Sequence, residues 1–73
     1  MGKETGLTLN WAAVYLEAGE KIRRHAWDHK YYLHLNRFES GASTITFEAG
    51  HNWREYWKPK INDLVATDWE VIR

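Results

Sequence analysis

Leu9-Asn10-Trp11-Ala12-Ala13-Val14-Tyr15-Leu16-Glu17-Ala18-Gly19-Glu20-Lys21-Ile22-Arg23-Arg24-His25-Ala26-Trp27 changes its apolar period at Gly19, and that change decides the fold. Before the glycine, Leu9, Ala12, Ala13 and Leu16 fall on one face of a helix. Asn10 is the expected N-cap, its side-chain oxygen accepting from a first-turn amide, with Leu9 ahead of it stapling onto Ala13 or Val14. Gly19 stands where a left-handed residue ends a helix. Such a helix has about two turns and needs tertiary packing to persist. After the glycine the period is two, with Ile22, Arg24 and Ala26 on one side of a strand.

The period of two continues outward. Asp28-His29-Lys30 reads as a turn and residues 31–35 as a second strand rich in β-formers. A polar connection over 37–41 leads to a third strand at 42–48, with Ile45 and Phe47 on one face and Thr44 and Thr46 on the other. Ala49-Gly50-His51-Asn52 is the expected hairpin turn and 53–57 the fourth strand, stopped by Pro59, which lacks a ladder donor. One helical turn capped by Asn62 is expected over 62–66, and a fifth strand over 68–73. Connections this short exclude parallel pairing, so the fold class is α+β: a short N-terminal helix on an antiparallel sheet of about five strands. Residues 1–8 are expected to form a flexible tail and 9–73 a single domain.

The chain has 73 residues, ten Lys plus Arg against ten Asp plus Glu, and no cysteine. A domain this small buries only about 60% of its unfolded surface, and without disulfides or thiolate metal sites oligomerisation is the natural supplement. Zero formal charge argues against binding nucleic acid by phosphate neutralisation. No apolar run approaches the ~20 residues of a membrane span, and the N-terminus lacks a signal peptide's apolar stretch, so an intracellular soluble domain is expected. Aromatics reach 15%, with five Trp, four Tyr and two Phe. One core does not need five indoles; some are expected at a ligand pocket or a subunit interface.

Catalytic templates are missing: there is no GxSxG, no glycine-rich phosphate loop and no HExxH. His25 and His29 flank a strand end and a turn rather than sharing a helical face, so no metal site and no cofactor are expected. Asp63 and Asp68 are either caps or ligand contacts. Arg23 and Arg24 point to opposite faces of their strand. Arg23 is expected to be a solvated charge, and Arg24 either a structural ion pair or a contact to a ligand phosphate. Lys58 and Lys60 bracket Pro59 beside Trp57, Asn62 and Asp63. Ring, cations and hydrogen-bonding side chains within so few residues suit a nucleotide: ring to base, cation to phosphate, carboxylate to sugar.

The 9–27 stretch resembles the opening of a small phage and prophage family that includes the type-two Thoeris anti-defence proteins: an apolar residue, a short helix, a Gly, basic residues and R-x-x-W. The ending Trp57-Lys58-Pro59-Lys60-Ile61-Asn62-Asp63-Leu64-Val65-Ala66-Thr67-Asp68-Trp69-Glu70-Val71 is similar to the family's W-x-P-S-x-x-D-L-L-A-x-D-W-x-V, with Lys60 standing in place of the Ser. Tyr32-Leu33-His34-Leu35 falls where members carry a Y-L-x-L strand. The resemblance implies a non-enzymatic sponge in the host cytoplasm. It would be a homotetramer that sequesters a cyclic nucleotide immune signal, of cyclic ADP-ribose type or a cyclic oligonucleotide, in a pocket between subunits. Carried over by motif, Trp27 and Trp57 would stack the base, Arg24 would contact phosphate and Asp63 would make a polar contact, beside Lys60 and Asn62.

Two other functions compete. A direct protein–protein inhibitor of a host defence enzyme would use an exposed aromatic surface and bind no small molecule. An enzyme cleaving the nucleotide would have only Asp63 and Asp68 for acid and base.

Overall fold

Helix α1 (Leu9–Glu17) ends as its sequence dictates. Gly19 takes φ +95°, the Gly19 amide donates to Leu16 O at 3.1 Å, and the Glu20 amide reaches back to Tyr15 O at 3.0 Å. That pair of bonds is a Schellman motif, and it turns the chain into the first strand. The structure is a computed structural model describing residues 4–49 and 53–72. Strands β1 (Lys21–Arg24), β2 (Tyr31–Arg37), β3 (Ser43–Ala49), β4 (Trp53–Tyr56) and β5 (Trp69–Ile72) form one sheet in the order β4-β3-β2-β1-β5, every neighbour antiparallel. A short helix α2 (Ile61–Val65) lies in the crossing from β4 at one edge to β5 at the other. The expected α+β architecture, a helix on a five-stranded antiparallel sheet, is what the chain adopts.

The register Ile22↔Leu33, Leu33↔Phe47 and Ile22↔Val71 puts the apolar residues on the face that α1 covers. Ala12, Leu16, Ile22, Leu33 and Trp69 are buried there, with Leu9, Leu35, Ile45, Phe47 and Val71 packed around them. The opposite face is polar. There Tyr32 Oη donates to Glu48 at 3.1 Å, Thr46 donates to the same carboxylate at 2.6 Å, and Asn36 donates to Thr46 at 2.7 Å. Burial, reinforced by the hydrogen bond to Glu48, raises the Tyr32 phenol above its ordinary value.

Several boundaries move from the sequence expectation, each for a local reason. The N-cap of α1 is Thr8, whose Oγ1 accepts from the Trp11 amide at 3.4 Å, and Asn10 lies exposed in the first turn. Leu9 is therefore helical rather than a staple ahead of the cap. Beyond Arg24 the His25 amide still makes the bond that continues the register with β5, to Asp68 O at 2.9 Å, and the Ala26 amide then leaves the ladder for the Asp68 carboxylate at 3.1 Å. Ala26 consequently leaves the face it was expected to share with Ile22. β2 continues two residues past Leu35, and the connection to β3 is closed by Phe38 N donating to Ala42 O at 2.9 Å, with Gly41 at φ +90°. Helix α2 starts at Ile61, so Asn62 does not cap it; Asp63 accepts from the Lys60 amide at 3.0 Å instead. The expected hairpin turn at Gly50, His51 and Asn52 lies outside the described residues, as do Met1, Gly2 and Lys3.

The rest of the expected tail is paired rather than loose. Leu7 and Trp69 exchange both backbone hydrogen bonds (2.9 and 3.1 Å), and the Val71 amide donates to Glu4 O at 2.8 Å. These bonds cover the outer edge of β5, which would otherwise be an open strand edge.

Two substitutions check this account in urea unfolding. Leu33→Ala should cost about 2–5 kcal/mol, enough to unfold a large fraction of so small a domain. Gly19→Ala should cost about 1–2 kcal/mol, because alanine must then hold the left-handed conformation.

Candidate functional site

The candidate site grows from the crossing segment. Trp57 stays attached to the sheet through its amide, which donates to Ile45 O at 3.0 Å. Pro59 then removes a donor, and the chain leaves the ladder to run beside α1. Trp69 anchors the far end: its indole N–H donates to Asp63 O at 3.1 Å. The Trp27 and Trp57 rings stand nearly perpendicular to it at centroid distances of 5.3 and 5.9 Å. Such T-shaped contacts set the positive edge of one ring against the negative face of another. Phe47 extends the row, at 5.2 Å from Trp27 and stacked at 5.0 Å on Tyr31.

Between these rings and the crossing segment lies an open cleft of about 320 Å³, lined by Trp27, Phe47, Glu55, Trp57, Lys58, Lys60 and Asp63. Trp27, Trp57, Lys60 and Asp63, singled out in the sequence as site residues, thus converge on one cavity from positions up to thirty-six residues apart (63 − 27 = 36). Arg24 adjoins it through Asp63, and Asn62 is exposed outside the lining. Sequence reasoning did not place Phe47 and Glu55 at the site. Their pairing in register, Phe47↔Glu55, brings both to the cleft, and no local motif announces a register. A second concavity of about 450 Å³ lies on the opposite, polar face of the sheet, lined among others by Asn36, Thr46, Arg54 and Tyr56. It is the larger of the two but holds no indole and none of the sequence-selected residues.

Arg24 is committed within the fold. Its Nε donates to Asp68 at 2.8 Å and its Nη1 to Asp63 at 3.1 Å, joining β1 to helix α2 and to the residue that precedes β5. The hydrogen bond to Asp68 outweighs the desolvation of Arg24 and raises its pKa. For Asp68, partial burial works against ionisation, but the bonds from Arg24 and the Ala26 amide prevail and hold the carboxyl below its ordinary value. Of the two roles open to Arg24, the structure displays the ion pair. Arg23 is not the solvated charge expected. Its Nε donates to Glu70 at 2.7 Å and its Nη1 to His29 O at 3.1 Å. That bond, with burial opposing it, keeps Glu70 ionised below its ordinary range. Among the described residues, Lys58 and Lys60 enter no such ion pair, so the cleft offers their two cations.

The sequence model of the Thoeris anti-defence 2-like (Tad2-like) domain matches residues 7–72. The chain belongs to that family. No curated protein matches the chain significantly. The family match begins at Leu7, the residue that pairs with Trp69, so the whole sheet and both helices of this Tad2-like domain fall within it. No helix among the described residues is long and apolar enough to cross a membrane.

The Arg24 pairing generates a pH dependence. The carboxyl of Asp68 has a lower pKa in the folded chain than its ordinary 3.8. Its stabilising contribution is therefore fully present above about pH 4 and is lost as pH falls through the folded value. Acid unfolding of the wild type should accordingly be steeper below pH 4 than that of Asp68→Asn. The variant should lose about 1–3 kcal/mol at pH 7, where Arg24 keeps only Asp63. Urea midpoints at pH 7 and pH 3 measure both.

Proposed function

We propose that this Tad2-like domain is a non-catalytic anti-defence protein that binds and sequesters a cyclic nucleotide immune signal. The observation that carries the reading is the cleft itself, where two indoles meet two lysines and two carboxylates. Trp27 and Trp57 offer π-faces for a base, Lys58 and Lys60 suit phosphate, and Glu55 with Asp63 can accept from ribose hydroxyls. Arg24 is already paired with Asp68 and Asp63, so Lys58 and Lys60, which enter no such pair among the described residues, are the first cations such a ligand meets. Asn62, exposed beside the lining, would contact a ligand that extends out of the cleft.

Absence of catalysis fits the acid–base chemistry. A general acid at neutral pH needs a raised carboxyl pKa, and the Asp68 carboxyl is pushed the other way. Asp63 is engaged by Arg24 and by the Lys60 amide.

Oligomerisation fits the surface. Trp11 and Val14 on α1 are 65% and 55% exposed, and Ile61, Leu64 and Val65 on the adjoining α2 are 70%, 49% and 68% exposed. A second copy covering these apolar side chains would close the cleft beside them and make the pocket intersubunit; a homotetramer is the assembly this reading favours. The same exposed Trp11 favours the second reading, a direct protein–protein inhibitor of a host defence enzyme.

Thermal unfolding with a panel of cyclic dinucleotides and cyclic ADP-ribose isomers separates the two. A bound compound at a hundred times its Kd should stabilise the protein by about 2.7 kcal/mol, and mass spectrometry should recover it unchanged. Trp27→Ala or Trp57→Ala should weaken that compound by about 1–3 kcal/mol. A folded protein that no member of the panel stabilises sinks the sponge and leaves the inhibitor. In light scattering, Trp11→Asp should lower the assembly's mass; an unchanged mass removes this face from the interface.

A further inference from the structure

On the sheet face opposite the aromatic cleft, His25, His29 and Glu70 present one donor atom each, all within 4.8 Å of one another. We propose that these three side chains form a binding site for a zinc-class divalent cation, closing the 25–30 loop onto edge strand β5. The site is independent of any ligand in the cleft.

The donor set is two imidazoles and one carboxylate. These are the borderline ligands that suit Zn²⁺, Ni²⁺ or Cu²⁺ and discriminate against Mg²⁺ and Ca²⁺, which take oxygen alone. His25 Nδ1 lies 3.5 Å from Glu70 Oε1. That is close to the roughly 3.3 Å separating donors in a tetrahedral site with bonds of about 2.0–2.1 Å. The His25 and His29 rings are 6.1 Å apart and tilted by 57°, and since the three donors lie within 4.8 Å of one another, a side-chain rotation that brings the widest pair about 1.5 Å closer completes the geometry. Both imidazoles are exposed, which leaves room for that rotation and for water at the remaining coordination position.

The outer shell is already built. One guanidinium orients two of the three ligands: Arg23 Nε holds Glu70 Oε2 at 2.7 Å, leaving Oε1 toward His25, and its Nη1 holds the His29 carbonyl at 3.1 Å. The turn bearing His29 is fixed further by Asp28, whose carboxylate accepts from the Lys30 amide at 3.1 Å and whose carbonyl accepts from the Tyr31 amide at 3.0 Å. Partners of this kind decide whether loosely gathered donors bind a metal. The nearby Arg23 charge repels a dication, which places the site in the micromolar rather than the nanomolar range. Its occupant would tie the loop that carries Trp27 to β5 and so stiffen one wall of the cleft from behind.

Titration calorimetry on the full chain, free of any polyhistidine tag, tests the assignment with ZnCl₂ and with MgCl₂. One zinc per chain at micromolar affinity and no magnesium binding are expected. His25→Ala and His29→Ala should each weaken zinc at least tenfold, whereas His34→Gln should leave it unchanged. Zinc should raise the Tm of the wild type and not that of the His25→Ala/His29→Ala double variant. Equal zinc affinity in that double variant, or no binding up to millimolar zinc, overturns the proposal. Because both histidines are exposed, the variants keep the core, and a retained circular dichroism spectrum verifies this.

Discussion

The fold turns on one buried side chain. Trp69 exposes none of its surface, yet it sits on an edge strand, where burial must come from what is laid over it. Its backbone exchanges bonds with Leu7, its ring meets the rings of Trp27 and Trp57, and its N–H holds Asp63 O. The N-terminal segment, the loop after β1, the end of β4 and helix α2 are thus positioned against a single indole. Three of those partners, Trp27, Trp57 and Asp63, line the cleft, so the site and the core are parts of the same packing.

Seen this way, the five tryptophans divide by role. Trp69 is core, Trp27 and Trp57 are half-buried and face both the core and the cleft, and Trp11 and Trp53 are substantially exposed. An amphipathic ring suits the middle group, because one part can pack against the core while the other lines the open cleft. Exposed Trp11 on α1 is accompanied by the exposed apolar side chains of Ile61, Leu64 and Val65 on the adjoining α2.

Charge is organised with the same economy. Adjacent arginines on β1 point to opposite faces, and each is matched from β5 or the segment before it: Arg24 by Asp68 and Asp63, Arg23 by Glu70. Opposed pairs lock the β1–β5 register from both sides, and a one-residue slip would break every one of them. The neutral total of the sequence therefore conceals a division, with Arg23 and Arg24 paired within the fold and Lys58 and Lys60 left to the cleft.

The helix, its end at Gly19, the strands and the stop at Pro59 were legible in the sequence, because each depends on side-chain periodicity or on the backbone limits of one residue. So were Trp27, Trp57, Lys60 and Asp63 as site candidates, through the clustering around Pro59 and the family resemblance. Caps fell a residue or two away, since Thr8 and Asn10 are comparable N-caps and Leu7, tied to β5, selects between them. Tertiary structure alone decided the pairing of the N-terminal segment, the partners of Arg23 and Arg24, and the presence of Phe47 and Glu55 in the cleft. Those depend on register between strands distant in sequence, which is set by the total fit of the sheet and is written in no local stretch of residues.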